Sequence, residues 1–351
     1  VTSTPTAGTT GFDARRRPTM KHVAALAGVG IKTVSRVING EPNVSTSTTA
    51  RVLEAARALD YHLDVRAGNL RRADGRTRTL GLLVSSVDNP FAGAVHRGVE
   101  DVAMSHDTAV FASSLDDDPD REQRAVAAFL GRRVDGLVLT SVARSQGYLA
   151  VEAARGTPLV FVDREARDLA ADVVASDNPA SAAMAARHLI SHGHRRVAFL
   201  GDRETIGTAV ERRDGFLAEM GRSGVATADL PVVLGLHDEA SARAAALDLL
   251  RADDPPTALF AAQNLVTLGA VRALRELDLH RRVALVGFDD IALGDLLQPG
   301  ITVVAQDPYE IGRLAAERVF ARLDGDDSEP QRVIVPTTLL ARGSGEIRPP
   351  A

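Results

Sequence analysis

A chain of 351 residues is long enough for two or three domains, each with a sizeable core. It has no cysteine and no apolar run of membrane-spanning length, so neither disulfides nor a bilayer contribute to the fold. The net charge of −5 argues on average against nucleic acid, but residues 1–78 hold 13 Lys and Arg against 6 Asp and Glu, and the rest 28 against 40. A basic head on an acidic body is the pattern of a DNA-binding module joined to something else.

Residues 1–18 begin small and polar, with no hydrophobic signal-peptide core, and predict a disordered arm on a cytoplasmic protein. Arg15, Arg16 and Arg17 suit either phosphates or plain solvation. A short helix over 20–27 follows, with Val23, Leu26 and Ala27 as its apolar stripe, broken by Gly28-Val29-Gly30. The second helix, 31–39, turns Val34, Val37 and Ile38 inward, leaves Ile31, Lys32, Ser35, Arg36 and Asn39 outward, and stops at Gly40. This is helix-turn-helix grammar. The outward face suits base edges and phosphates of a major groove, although a solvated surface helix carries the same residue types. A third amphipathic helix and a basic segment ending at Arg71 and Arg72 complete the head.

From Thr79, short aliphatic runs alternate with helical patterns. Strands are predicted at 80–85, 109–113, 136–140, 159–163, 197–201, 232–235, 258–261 and 283–287. Helices are predicted at 91–105, 121–132, 180–192, 210–221, 241–250 and 267–277. Such alternation predicts parallel sheets covered on both faces, in numbers that exceed one sheet and give two lobes. Ligands collect outside the carboxyl ends of such strands, where Asp163 and Asp289 stand. Their carboxylates suit ligand hydroxyls, and Arg212 near a helix start offers a planar fork; helix capping or inter-lobe pairing would use the same groups. Phe91 fits a sugar face as well as a core, and Gln263 can reach the cleft. Asp116, Asp117 and Asp118 read as a water-facing loop rather than a metal site.

Val23-Ala24, Ala27-Gly28-Val29, Thr33-Val34-Ser35-Arg36-Val37-Ile38-Asn39-Gly40, Val44-Ser45 and Leu59-Asp60-Tyr61 stand in order. With this series the chain resembles the lactose-repressor/galactose-repressor family from Thr19 to about Ser344. The resemblance implies an all-α helix-turn-helix head-piece over 19–63, a hinge helix and linker over 64–78, and an α/β two-lobed effector and dimerisation domain over 79–345. That domain is similar to periplasmic sugar-binding proteins, with an N-lobe of 79–174 plus 301–345 and a C-lobe of 175–300. The family's DNA contacts fall on Thr19, Ile31, Lys32, Thr33, Ser35, Arg36, Asn39, Asn43 and Ser45, with Ala67 and Leu70 in the hinge, where Leu70 is the minor-groove wedge. Its effector contacts fall on Asp163, Arg212 and Asp289; Phe91, Gln263 and Phe288 join them as candidates. His192-Gly193-His194 matches a structural helix end.

Departures are His22 for the usual Asp, Gly30 for a capping Ser, Leu63-Asp64 for Pro-Asn, Gly68-Asn69 within the hinge motif, and Asn264 for an Asp. Gly in place of a Ser cap costs only a few tenths of a kcal/mol, roughly, so the recognition helix should survive. The expected function is a repressor that binds a palindromic operator as a homodimer, with a small-molecule effector, a sugar or sugar derivative, controlling affinity. A transport component would share the body but has no use for the head. An enzyme would need a phosphate loop, nucleophile elbow or catalytic pair, and none is legible, so no cofactor or metal is expected. The last residues carry no leucine heptads, which predicts a dimer without a tetramerising tail.

Overall fold

The computed structural model describes residues 18–38, 41–61 and 75–350, in two units that meet between Thr77 and Arg78. The N-terminal arm through Arg17, Asn39, and the hinge positions Ala67 and Leu70 lie outside the described residues.

In the first unit, helices α1 (Met20–Ala27), α2 (Ile31–Ile38) and α3 (Thr46–Ala58) surround Val23, Ala24, Ala27, Val34, Val37, Val52 and Ala55. Gly28 ends α1 with φ 64°, a conformation that costs glycine little. Leu26, expected in the core stripe, is 55% exposed; Ala24 takes the inward place. In an eight-residue helix the observed stripe Val23, Ala24, Ala27 (i, i+1, i+4) fits one helical face as well as the expected Val23, Leu26, Ala27 (i, i+3, i+4), so the apolar pattern alone did not separate the two.

The second unit holds two six-stranded sheets. The first lobe has β1 (Thr79–Val84), β2 (Ala109–Ser114), β3 (Gly136–Leu139), β4 (Leu159–Val162) and β5 (Asp172–Ser176), with β11 (Arg332–Val335), in the order β11-β5-β4-β3-β1-β2. The second has β6 (Val197–Leu200), β7 (Val232–Val233), β8 (Ala258–Ala261), β9 (Ala284–Phe288), β10 (Thr302–Ala305) and β12 (Thr338–Leu340), in the order β12-β10-β9-β8-β6-β7. All neighbours run parallel except β12, which is antiparallel to β10. Central strands such as Leu-Val-Phe-Val of β4 and Ala-Leu-Phe-Ala of β8 are buried along their whole length, because helices cover both faces. Those helices are α4 (Pro90–Ser105), α5 (Pro119–Gly131), α6 (Ala150–Ala154), α7 (Asn178–Ser191), α8 (Gly207–Arg222), α9 (Glu239–Arg251), α10 (Asn264–Glu276) and α11 (Pro308–Leu323).

The expected lobe boundaries need correction. Residues 301–345 do not return to the first lobe as one piece: β10 and β12 belong to the second sheet, and only α11 and β11 go back. The first lobe also extends through Ser176, the end of β5. The chain therefore crosses between lobes after β5, after β10 and after β11. What recruits α11 is a buried carboxylate. Burial pushes the Asp172 carboxyl up, but hydrogen bonds from Arg322 (2.7 Å) and the amide of Gln331, with the charge of Arg318, outweigh it and hold it below its usual range. Backbone contact seals the join, since a Cβ on Gly98 of α4 would overlap Tyr309 and Arg313 of α11, and one on Gly312 would overlap Val95.

Candidate nucleic-acid face and ligand cleft

On α2, Ile31, Lys32 and Arg36 are exposed and Thr33 and Ser35 half-buried, while Val34 and Val37 anchor the opposite face. Arg36 Nε lies 3.8 Å from Glu41 Oε2, both solvated, a pair worth little and easily exchanged for a phosphate or base edge. Thr19 precedes α1, and its N–H donates to His22 Nδ1 at 3.1 Å, so the imidazole serves where a carboxylate was expected. Ser45 Oγ accepts from the Thr48 amide at 3.3 Å and caps α3; Asn43 is exposed with φ 78°.

Between the two lobes of the second unit lies a cavity. Its polar walls come from the carboxyl ends of parallel strands: Ser85 after β1, Asp163 after β4, Asp202 after β6, Gln263 after β8, Asp289 after β9 and Gln306 after β10. Arg212 enters from α8, only 5% exposed. Its Nε donates to Asn178 Oδ1 at 2.8 Å and Nη1 to the Ala262 carbonyl at 3.0 Å, and the guanidinium carbon sits 3.8 Å over the Phe288 ring. This clamp fixes the plane of the fork and leaves Nη2 for the cavity. Asp289 accepts from Gln306 Nε2 at 2.7 Å. Burial pushes its carboxyl up, against the pull of Arg212 and Gln306. Gln306 Oε1 and Arg164 Nε are buried with no hydrogen-bond partner among the described residues. An orphaned acceptor and donor in one cleft suit a polyhydroxylated molecule, whose hydroxyls both give and accept.

Of the expected effector contacts, Phe91, Asp163, Arg212, Gln263 and Asp289 come together on this wall. Gln263 also caps α10, its Oε1 accepting from the Val266 amide at 3.0 Å, which leaves Nε2 to face outward. Phe288 does not line the cavity. It is fully buried in the second lobe's core, because residues alternate faces along β9 and its ring lies beneath Arg212. Sequence reasoning missed Asp202, although its strand was recognised and the strand-end rule points straight at it, and Gln306, whose strand β10 was not recognised. Arg164, next to Asp163 at the end of a recognised strand, carried the same signal; Asn178, just beyond the unrecognised β5, carried none.

Two contacts join the lobes directly. Asn264 Nδ2 donates to Asn89 Oδ1 at 2.7 Å, so the position where an Asp was expected makes an amide–amide bridge. His237 Nε2 lies 2.9 Å from Asp117 of the first lobe, and Nδ1 lies 2.8 Å from Asp202 of its own. Asp117 does not face water as its loop suggested; it is 13% exposed and also accepts from Arg164 Nη1 at 3.2 Å. Hydrogen bonds to Asp117 and Asp202 push the His237 pKa up to about 9, so the imidazole is charged at neutral pH. Burial alone would raise the Asp117 carboxyl, but His237 and Arg164 together hold it below its usual range. His194, by contrast, is a core residue bonded to Thr257 and the Ile347 carbonyl.

Among the described residues no helix is long and apolar enough to cross a membrane. The profile described as "Bacterial regulatory proteins, lacI family" matches residues 19–64, and that of a "Periplasmic binding protein-like domain" matches 186–345. The HTH-type transcriptional regulator PtxS of Pseudomonas aeruginosa is 35% identical over 337 residues, 94% of this chain and 96% of its own length. The ribose operon repressor of Escherichia coli is 30% identical over 329 residues, 93% and 99% of the two chains. A solved structure titled "transcriptional regulator CelR-cellobiose complex" is 32% identical, covers 93% of this chain and 100% of its own, and superposes with a TM-score of 0.69. With a helix-turn-helix head, a two-lobed body and relatives matched over nearly their full length, the chain belongs to the lacI family of bacterial regulatory proteins: it is a transcriptional regulator, not an enzyme.

Proposed function

We propose that this regulator is a repressor that acts in the cytoplasm, binds a palindromic operator as a homodimer, and has its operator affinity set by a carbohydrate held between the two lobes. The observation that carries the carbohydrate reading is the cleft itself. Donors and acceptors stand at strand ends of both lobes, two of them orphaned, and the apolar Phe91 lies beside them. A molecule touching both walls binds one lobe arrangement better than another, and only that differential affinity can shift the DNA equilibrium. The CelR relative bound to cellobiose and the relative named for a ribose operon support the same class.

On the DNA side, Ile31, Lys32, Thr33, Ser35 and Arg36 of α2 form the reading face, with Thr19, Asn43 and Ser45 at the flanking helix ends and Asn39, Ala67 and Leu70 completing the contact. A thermal-shift screen of neutral sugars and their derivatives tests the effector class. A ligand at about 100 times its dissociation constant stabilises by roughly 2.7 kcal/mol. An operator titration with and without the hit then tests the coupling. A screen with no carbohydrate hit, or a hit that leaves operator affinity unchanged, would refute the reading.

A further inference from the structure

A second cavity adjoins the first and shares Asp163, Arg164, Ile206 and Thr208 with it. The two differ in charge. Asp202 and Asp289, which line only the first, make it a poor place for an anion and a good one for hydroxyls. In the second, Arg332 is taken by Glu165 at 2.8 Å, Arg164 by Asp117, and Glu211 accepts from Asn178 at 2.9 Å. Arg144 and Arg167 also line it, and among the described residues neither guanidinium has an acidic partner. Helix α8 starts on the same wall behind Ile206, whose side chain supplies no acceptor to the first-turn amides. A Cβ on Gly207 would lie 3.7 Å from Arg167 Nη2, so a guanidinium of the first lobe reaches the helix start of the second.

We infer that the effector carries an anionic group, a carboxylate or a phosphate ester, and that Arg144 and Arg167 hold it in this second cavity while its hydroxyls occupy the first. Guanidinium forks match both oxyanions in geometry, and the positive end of α8 adds to their field. This rests on the carbohydrate reading above and names its chemical class. An anion bridging Arg167 and α8 would join the lobes, and so would itself favour closure.

The test uses the full chain with two matched triplets, glucose, gluconate and glucose 6-phosphate and ribose, ribonate and ribose 5-phosphate, and one matched pair, cellobiose and cellobionate. Calorimetric titration should give at least tenfold tighter binding to one anionic member than to its neutral parent, and the carboxylate and phosphate arms tell which oxyanion is preferred. The double variant Arg144→Gln/Arg167→Gln should bring that member to within about threefold of the neutral sugar, without changing the neutral sugar's affinity or the melting temperature. A neutral sugar that binds as tightly as its anionic partners overturns the inference and leaves the carbohydrate reading intact. Tighter anion binding untouched by the double variant overturns the assignment to these arginines. Absence of binding by every member overturns both readings.

Discussion

The His237–Asp117 contact offers a sharp test of how the lobes are held together. Raising the imidazole pKa from 6.5 to about 9 corresponds to roughly 3 kcal/mol of differential interaction between its two protonation states. Two carboxylates at 2.9 and 2.8 Å share it, and only Asp117 belongs to the other lobe. With the imidazole 31% exposed, solvent screens part of the inter-lobe share, leaving about 1 kcal/mol. Because the folded pKa is raised, the contribution is complete below about pH 6.5 and is lost as pH rises through about 9. On the acid side it persists until Asp117, held below its usual range, protonates. A double-mutant cycle of His237→Gln and Asp117→Asn by urea denaturation should therefore give a coupling of about 1 kcal/mol at pH 6.5 and close to zero at pH 10. The cycle cancels the separate loss of Arg164 from Asp117. Additivity within about 0.3 kcal/mol at pH 6.5, or a coupling that survives at pH 10, would refute the argument.

Other substitutions test separate parts of the account. Gly30→Ser puts a capping hydroxyl ahead of α2, where an added Cβ meets nothing, and should stabilise the head by a few tenths of a kcal/mol, roughly; a lower melting temperature for the head would contradict it. Gly98→Ala drives a methyl into the α11 backbone and should cost about 1–3 kcal/mol or more, so a urea midpoint equal to the parent's would disprove the close approach. Arg212→Ala strips donors from Asn178 Oδ1 and the Ala262 carbonyl and should destabilise the body by roughly 2–4 kcal/mol while weakening the effector at least tenfold; calorimetry on the folded variant showing parental affinity would remove Arg212 from the site.

What was legible in the sequence follows from where the information lies. The head was readable because its three helices bury a local periodic stripe, and the one misplacement, Leu26 for Ala24, arose inside a helix of two turns. Central strands announced themselves as unbroken apolar runs because both faces are covered. Four strands did not, β5, β10, β11 and β12: the edge strand β11 is half-solvated, and β5, although interior to its sheet, opens on Asp172, whose charge disguises a strand until Arg318 and Arg322, about 150 residues later, are seen to neutralise it. Asp163, Arg212 and Asp289 could be found from strand ends and a matching motif. His237 could not, since nothing local distinguishes it from any loop histidine; its partner stands 120 residues away.

The topology explains why those two residues meet. Read from β2 and from β7, the two sheet orders are the same, β2-β1-β3-β4-β5 and β7-β6-β8-β9-β10, so the lobes are repeats of one design up to their last strands. Asp163 after β4 and Asp289 after β9 hold equivalent positions, and both take a left-handed backbone (φ 65° and 64°), which Asp tolerates better than β-branched residues do. Asp117 and His237 are equivalent too: each follows the edge strand and immediately precedes the aspartate, Asp118 or Asp238, that caps the next helix. Residues related by such a repeat approach one another where the lobes face across the cleft. Two identical carboxylates there would repel, whereas one carboxylate and one imidazolium attract. The repeat thus supplies the meeting point, and its departure from symmetry in side-chain charge turns that point into a bond between the lobes.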